Sequence, residues 1–150
     1  MDRKRTHFPF QSICIHHGRQ YSIVSDYISD NFRWKIVFYA DSLGCVSCDL
    51  NLLEWMDFME RAKELTNQRI DFFFYFAPEK KKDIISALKL EGFHYPVFID
   101  TQKDFDKINR LPDNQKFRTF LLNAKNEIVL IGNPTQGIEM ERLYYRVLSQ

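Results

Sequence analysis

The stretch "KIVFYADSLGCVSCDLNLLEW", residues 35 to 55, sets two cysteines two residues apart between a strand-like run and a helix-like pattern. "KIVFYAD" is a short continuous apolar run of the kind found in a strand buried on both faces. Beyond the cysteines, Leu52, Met56 and Met59, with Trp55, Phe58, Ala62 and Leu65, recur at spacings of three and four. That spacing predicts a helix with a broad apolar face from about residue 46 to 66, ended near Asn67. Cys45 and Cys48 therefore fall where a buried strand hands the chain to an amphipathic helix.

Working outward, the same alternation repeats. "RIDFFFYFAP" reads as a second buried strand and "EKKKDIISALKLEGF" as a short amphipathic helix stopped by Gly92. "YPVFID" follows as a strand, "DFDKINRL" as a short helix, and "FRTFLLN" and "EIVLIGNP" as two strands. The polar link Asn123-Ala124-Lys125-Asn126 between the last two suits an antiparallel hairpin. Ile138, Leu143, Tyr144, Val147 and Leu148 give a closing helix. Upstream, residues 1–34 read as an N-terminal extension, with strands near Ser12 to Ile15 and Tyr21 to Val24 and a short polar helix around Ser25 to Phe32. Residues 35–150 then form one α/β domain with a mixed sheet of about five strands and helices on both faces.

Composition narrows the function. The chain has 150 residues, 45% of them hydrophobic, and carries 14 Phe, 7 Tyr and 2 Trp, enough for a dense core without metal or disulfide staples. Twenty-one Lys and Arg against 20 Asp and Glu leave a net charge of +1, with no basic face to follow a phosphate backbone, which disfavours nucleic acid as a partner. The run Lys80-Lys81-Lys82 reads as a solvated helix start. No window approaches the ~20 apolar residues of a membrane span, and the basic N-terminal residues lack the apolar segment of a secretory signal. Three cysteines are too few for a disulfide scaffold, and Cys14, in "SICIHH", reads as a small buried residue of a short strand.

At a helix start, free backbone N–H groups and the helix dipole stabilise a thiolate, which would make Cys45 the nucleophile. Cys48, one turn on, could then attack the first sulfur and release a mixed disulfide. Asp41 and Asp49 oppose the thiolate by charge. A structural zinc site would need a second Cys or His pair at comparable spacing, and the sequence has none. His16 and His17 are adjacent and would point apart, and His94 stands alone before a strand. No cofactor is implied.

The order of elements over residues 35–148 resembles the thioredoxin-like superfamily, and most closely its exported TlpA and ResA type thiol-disulfide oxidoreductases. "KIVFYADSLGCVSC" looks like the strand and active-site loop of that group, "YPVFID" like its inserted strand, and "FRTFLLNAKNEIVLIGNP" like its closing hairpin. The resemblance implies a three-layer thioredoxin-like fold, an exposed nucleophile at Cys45, a resolving thiol at Cys48, and a periplasmic or cell-envelope location. It also implies a substrate groove formed by Gly44, Val46 and Ser47 with Lys116 and Phe117 opposite. Three departures are visible. Leu43-Gly44 replaces the Trp that precedes the nucleophile; the proline slot facing the dithiol falls on Lys116 or Phe117; and Tyr39 or its neighbours occupy the place of a buried acid behind it. A cis bond before a non-proline residue costs about 3 kcal/mol, so the Lys116–Phe117 peptide is expected to be trans. The residues before Cys45 lack the Pro-x-x-x-Thr-x-x-Cys pattern of peroxiredoxins. The leading reading is a thiol-disulfide oxidoreductase acting on protein partners. A non-catalytic thioredoxin-like binding module comes second, and a copper chaperone using the dithiol and a histidine third.

Overall fold

A computed structural model describes residues 3–9, 11–17, 19–24, 33–41, 51–77 and 81–150. The expected helix at 25–32 and the segment 42–50 lie outside these residues. Seven strands form one sheet: β1 (Gln11–His16), β2 (Arg19–Val24), β3 (Trp34–Asp41), β4 (Ile70–Ala77), β5 (Val97–Ile99), β6 (Thr119–Leu122) and β7 (Ile128–Ile131), in the order β2-β1-β5-β4-β3-β6-β7. The helices are α1 (Leu52–Leu65), α2 (Lys81–Leu90), α3 (Asp104–Asn109) and α4 (Ile138–Leu148). The sheet is thus larger than the five strands expected. The two N-terminal strands, foreseen as separate elements, form a hairpin whose first member pairs antiparallel with β5, Cys14 opposite Phe98.

β3 lies inside the sheet, parallel to β4 from Trp34↔Ile70 to Asp41↔Ala77 and antiparallel to β6. Every residue from Trp34 to Tyr39 is buried, as a continuous apolar run requires of a strand covered on both faces. Lys35 is the polar member of that run, and its amine donates to Asn126 Oδ1 at 2.8 Å.

Strand alternation sorts the core into two layers. Ile36, Phe38, Phe72, Phe74 and Phe76 face one side, where Trp55, Phe58 and Ala62 of α1, Leu88 of α2 and Tyr144 and Leu148 of α4 cover them. Trp55 meets the rings of Phe38, Phe58 and Phe74 edge-on at centroid distances of 5.2 to 5.7 Å. Val37, Tyr39, Phe73, Tyr75 and Phe120 face the other side, against Phe105 of α3. Phe8 packs there on Phe73 and Phe105. Its segment is tied down by the buried Asn109 amide, which donates to the His7 carbonyl and accepts the His7 N–H, each at 2.7 Å.

Local sequence sets the element ends. After Leu65 the chain turns left-handed at Asn67 and Gln68, so Asn67 ends α1 as its type suggests. Gly92, at φ 67°, closes α2: its N–H bonds the Lys89 carbonyl and that of Phe93 bonds Leu88. This double bond with a buried Leu88–Phe93 contact is a Schellman cap. Between β6 and β7, the Asn123 carbonyl accepts the Asn126 N–H and Asn123 Oδ1 accepts those of Lys125 and Glu127. Asn126 takes the left-handed conformation that a tight hairpin link needs.

Candidate functional site

Cys45 and Cys48, with Gly44, Val46 and Ser47, lie outside the described residues. Their flanks in the chain do not: Asp41 is the last residue of β3, and Asn51 is the N-cap of α1, its carbonyl accepting the Trp55 N–H at 2.9 Å. Asn51 stands at φ 50°, ψ 45°, in the left-handed region. This corrects one expectation. The expected single helix from residue 46 to 66 does not run unbroken through Asn51: residues 46–50 lie outside the described residues, and the described helix begins at Leu52. An acidic residue, Glu54, occupies its first turn, where a negative side chain complements the free N–H groups.

Two loops frame this end of the sheet. The first follows β7: Asn133 Oδ1 accepts from both the N–H and the hydroxyl of Thr135, and Thr135 Oγ1 receives the Asn51 amide at 3.4 Å. The second precedes β6, where Gln115–Phe117 make a single 3₁₀ turn held by Asn114 Oδ1 on the Lys116 N–H. The Gln115 amide donates to the Tyr39 carbonyl at 2.6 Å, and the Arg118 carbonyl accepts the Tyr39 N–H at 3.0 Å. The segment is therefore bound to the carboxyl end of β3 on both sides of one residue. No cis peptide occurs among the described residues, so the Lys116–Phe117 bond is trans, as expected. Phe117 leaves its ring 51% exposed beside this anchor.

Behind the strand end lies a polar network inside the core. The Tyr39 hydroxyl donates to Asp100 Oδ2 at 2.9 Å, and Asp100 also accepts the backbone N–H groups of Asp104 and Phe105, capping α3. Burial pushes the Asp100 carboxyl above its ordinary range, against the opposing pull of these hydrogen bonds. Burial, reinforced by the bond to Asp100, likewise pushes the Tyr39 phenol up. The guanidinium of Arg118 lies 5.5 Å from the Tyr39 ring centroid, donates through Nε to the Pro112 carbonyl at 2.7 Å, and pairs with Asp106 at 3.4 Å. The place of a buried acid is thus held by Tyr39, with the carboxylate on the end of β5. Sequence reading missed Asp100, Gln115 and Arg118. A signal was present only for Asp100, an Asx residue four positions ahead of an amphipathic turn.

The remaining candidates separate from this end. Cys14 is buried in β1 at 3% exposure, unpaired, and burial raises its thiol to about 11. The histidines converge instead of pointing apart: His16 and His17 ring centroids are 4.1 Å apart, and His17 and His94 are 5.7 Å apart. His17 is left-handed at φ 53°, which breaks strand alternation and brings neighbouring rings to one side. They sit at and just after the end of β1 and before the start of β5, at the opposite end of the sheet from Asp41. Among the described residues no group of three or more His, Cys, Asp or Glu is placed to hold a metal ion. No described helix is long and apolar enough to cross a membrane.

No family model matches the sequence, and no curated protein matches it. Solved structures do. The thioredoxin domain of a thiol-disulfide oxidoreductase from Bacteroides vulgatus superposes with a TM-score of 0.67 at 10% identity, covering 99% of both chains. StoA from Bacillus subtilis gives 0.60 at 18% identity over 93% of this chain and 98% of its own. The reduced 2-Cys peroxiredoxin of Plasmodium vivax gives 0.67 at 11% identity over 96% and 91%. The chain has the thioredoxin-like fold, with thiol-disulfide oxidoreductases and peroxiredoxins among its structural neighbours.

Proposed function

We propose that the protein is a thiol-disulfide oxidoreductase in which Cys45 and Cys48 exchange with a disulfide of a protein partner. The observation that carries this reading is where the dithiol falls in the chain. In sequence it falls between Asp41, at the carboxyl end of the internal parallel strand β3, and Asn51, the N-cap of α1, and the carboxyl ends of such strands are where α/β sheets bind ligands and substrates. In the forward direction the Cys45 thiolate attacks one sulfur of the partner disulfide, forming a mixed disulfide and releasing the partner's first thiolate. The Cys48 thiolate then attacks the Cys45 sulfur, releasing the partner's second thiolate and leaving a Cys45–Cys48 disulfide. Two electrons pass to the partner, and reversal oxidises it. Lys116 and Phe117 would form the wall opposite, where the exposed Phe117 ring supplies apolar contact. The absence of the Pro-x-x-x-Thr-x-x-Cys pattern argues for exchange over peroxide reduction, although both classes share the fold. The histidines sit at the opposite end of the sheet from Asp41, the last described residue before the dithiol, and this favours exchange over a copper site shared with them.

The test is mass spectrometry after equilibration in a graded glutathione couple. A reversible loss of two protons between Cys45 and Cys48 supports the reading, and its absence across the whole range defeats it. A second reading, a binding module without exchange chemistry, draws on the 112–118 segment. There Gln115 occupies the Tyr39 carbonyl at 2.6 Å, and no proline stands at Lys116 or Phe117. Full retention of partner binding and biological effect in Cys45→Ala would favour it.

A further inference from the structure

A cavity of about 180 Å³ opens between β1, α2 and the turn that follows α2, on the same face as α1 but away from the carboxyl end of β3. Its walls are apolar. Ile15, Leu88 and Phe93 are core residues that turn one surface toward it, and Ile85 and the Tyr95 ring complete the lining. The Tyr95 hydroxyl is already committed to Asp71 Oδ1, so it offers the cavity its ring and not its donor. The polar groups on the lining are His17, Lys89 and His94, all exposed at the mouth, and no carboxylate is among the lining residues. Among the described residues, no acidic side chain lies within ion-pair distance of Lys89.

We propose that this cavity is a binding site for a small apolar carboxylate, its hydrocarbon body seated against Ile15, Ile85, Leu88 and Phe93 and its carboxylate held at the mouth by Lys89 with His94 or His17. An apolar interior with a few convergent polar groups is the usual form of a small-molecule site. The one-sided chemistry of this mouth selects an anion, because donors and a cation line it without a competing acid. The volume suits a fragment-sized ligand. The cavity is at the opposite end of the sheet from Asp41, and the proposal stands or falls independently of the exchange chemistry.

Phenylacetate is the probe, with phenylacetamide as its neutral isostere, and methyl-labelled full-length protein is titrated by NMR. A ligand of about ten non-hydrogen atoms should bind with Kd on the order of 1 mM. The expected result is saturable shifts at the Ile15, Ile85 and Leu88 methyls. Phenylacetamide, and phenylacetate against Lys89→Gln, should each bind roughly 1.4-fold to fivefold more weakly, the range for one exposed charge pair. Ile85→Trp, which fills the half-buried side of the cavity, should abolish the shifts. If Ile85→Trp does not fold, Leu88→Met, which reshapes the wall conservatively, must still change the affinity. Lack of saturation by about 20 mM, far above the expected Kd, equal affinity for acid and amide, or unchanged binding in both wall variants would each overturn the proposal.

Discussion

Replacing Tyr39 by Phe removes a single oxygen from the network behind the candidate site, and its cost can be worked from the geometry. The ring packs against Phe105 and Tyr75 at centroid distances of 5.9 and 6.3 Å, and Phe preserves both contacts. What is lost is one hydrogen bond of 2.9 Å to Asp100, a carboxylate only 8% exposed that keeps its bonds from the Asp104 and Phe105 N–H groups. A hydrogen bond to an ionised group contributes about 1.5–3 kcal/mol, and one between neutral groups about 1 kcal/mol. The pH dependence follows from burial raising Asp100 above 3.8 in the folded chain. An acid raised on folding binds its proton more tightly in the native state. Its cost is therefore absent below the unfolded value and grows as pH climbs through the folded one. Tyr39 offsets part of that cost by donating to the ionised form, so Tyr39→Phe should destabilise most at pH 7 and less as Asp100 protonates. With a urea slope of about 2 kcal/mol/M, the midpoint should fall by roughly 1 M at pH 7 and by about half of that near pH 3.5. Tyr144→Phe is the control: its hydroxyl donates to the Gly132 carbonyl at 2.6 Å, a partner that does not titrate. Its penalty of about 1 kcal/mol should be flat with pH. A Tyr39→Phe shift below ~0.2 M at pH 7, or one as large at pH 3.5 as at pH 7, would refute the account of Asp100 as a charged acceptor held by Tyr39.

Other substitutions probe separate parts of the argument. Trp55→Ala, emptying a fully buried site ringed by Phe38, Phe58 and Phe74, should cost about 3–5 kcal/mol in denaturant unfolding, against less than half of that for Trp55→Phe. Gly92→Ala meets no atom within 4 Å of the added carbon, yet stands at φ 67°; its cost should be the backbone term alone, about 1 kcal/mol. With Cys45 and Cys48 both changed to Ser, Cys14 should react with iodoacetamide at pH 8 roughly a hundredfold more slowly than a free cysteine, since its thiol sits near 11. Rapid native labelling would contradict its burial. Phe117→Ala, at a half-exposed ring, should change stability by less than about 0.5 kcal/mol while slowing exchange with a protein disulfide in a stopped-flow assay.

The parts of the fold that were legible are those in which one residue pattern implies one structure. β3 and β4 are continuous apolar runs, and a run of that length with no polar face can only be buried on both sides. Leu52 to Leu65 shows a stripe at helical spacing. Gly92 and Asn67 mark helix ends because both residue types tolerate the left-handed backbone found there. The width of the sheet was not legible in the same way. Nothing in "QSICIH" states that it will pair with β5, whose three residues lie more than eighty positions downstream. Nor could the left-handed Asn51 be read from its neighbours, since the apolar stripe beginning at Leu52 runs smoothly into the leucine and cysteine before it.

The site divides along the same line. A pair of cysteines at fixed spacing is a local feature, and it announces itself wherever it stands. The groups gathered at the carboxyl end of β3 are joined only by the fold: Tyr39 meets Asp100 across 61 positions and Gln115 across 76. The family resemblance put Tyr39 or its neighbours in the slot of a buried acid and named no acid to replace it. Folding returns a carboxylate to that place from another strand, with a phenol between it and the strand end and a guanidinium over the ring. A carboxylate lying directly behind a dithiol can exchange protons with it, whereas one separated by a phenol raised well above neutrality acts on that end of the sheet mainly through its field. On the proposed function, reactivity at Cys45 should therefore respond to Asp100→Asn by a small shift in its pH profile and not by loss of a titrating step.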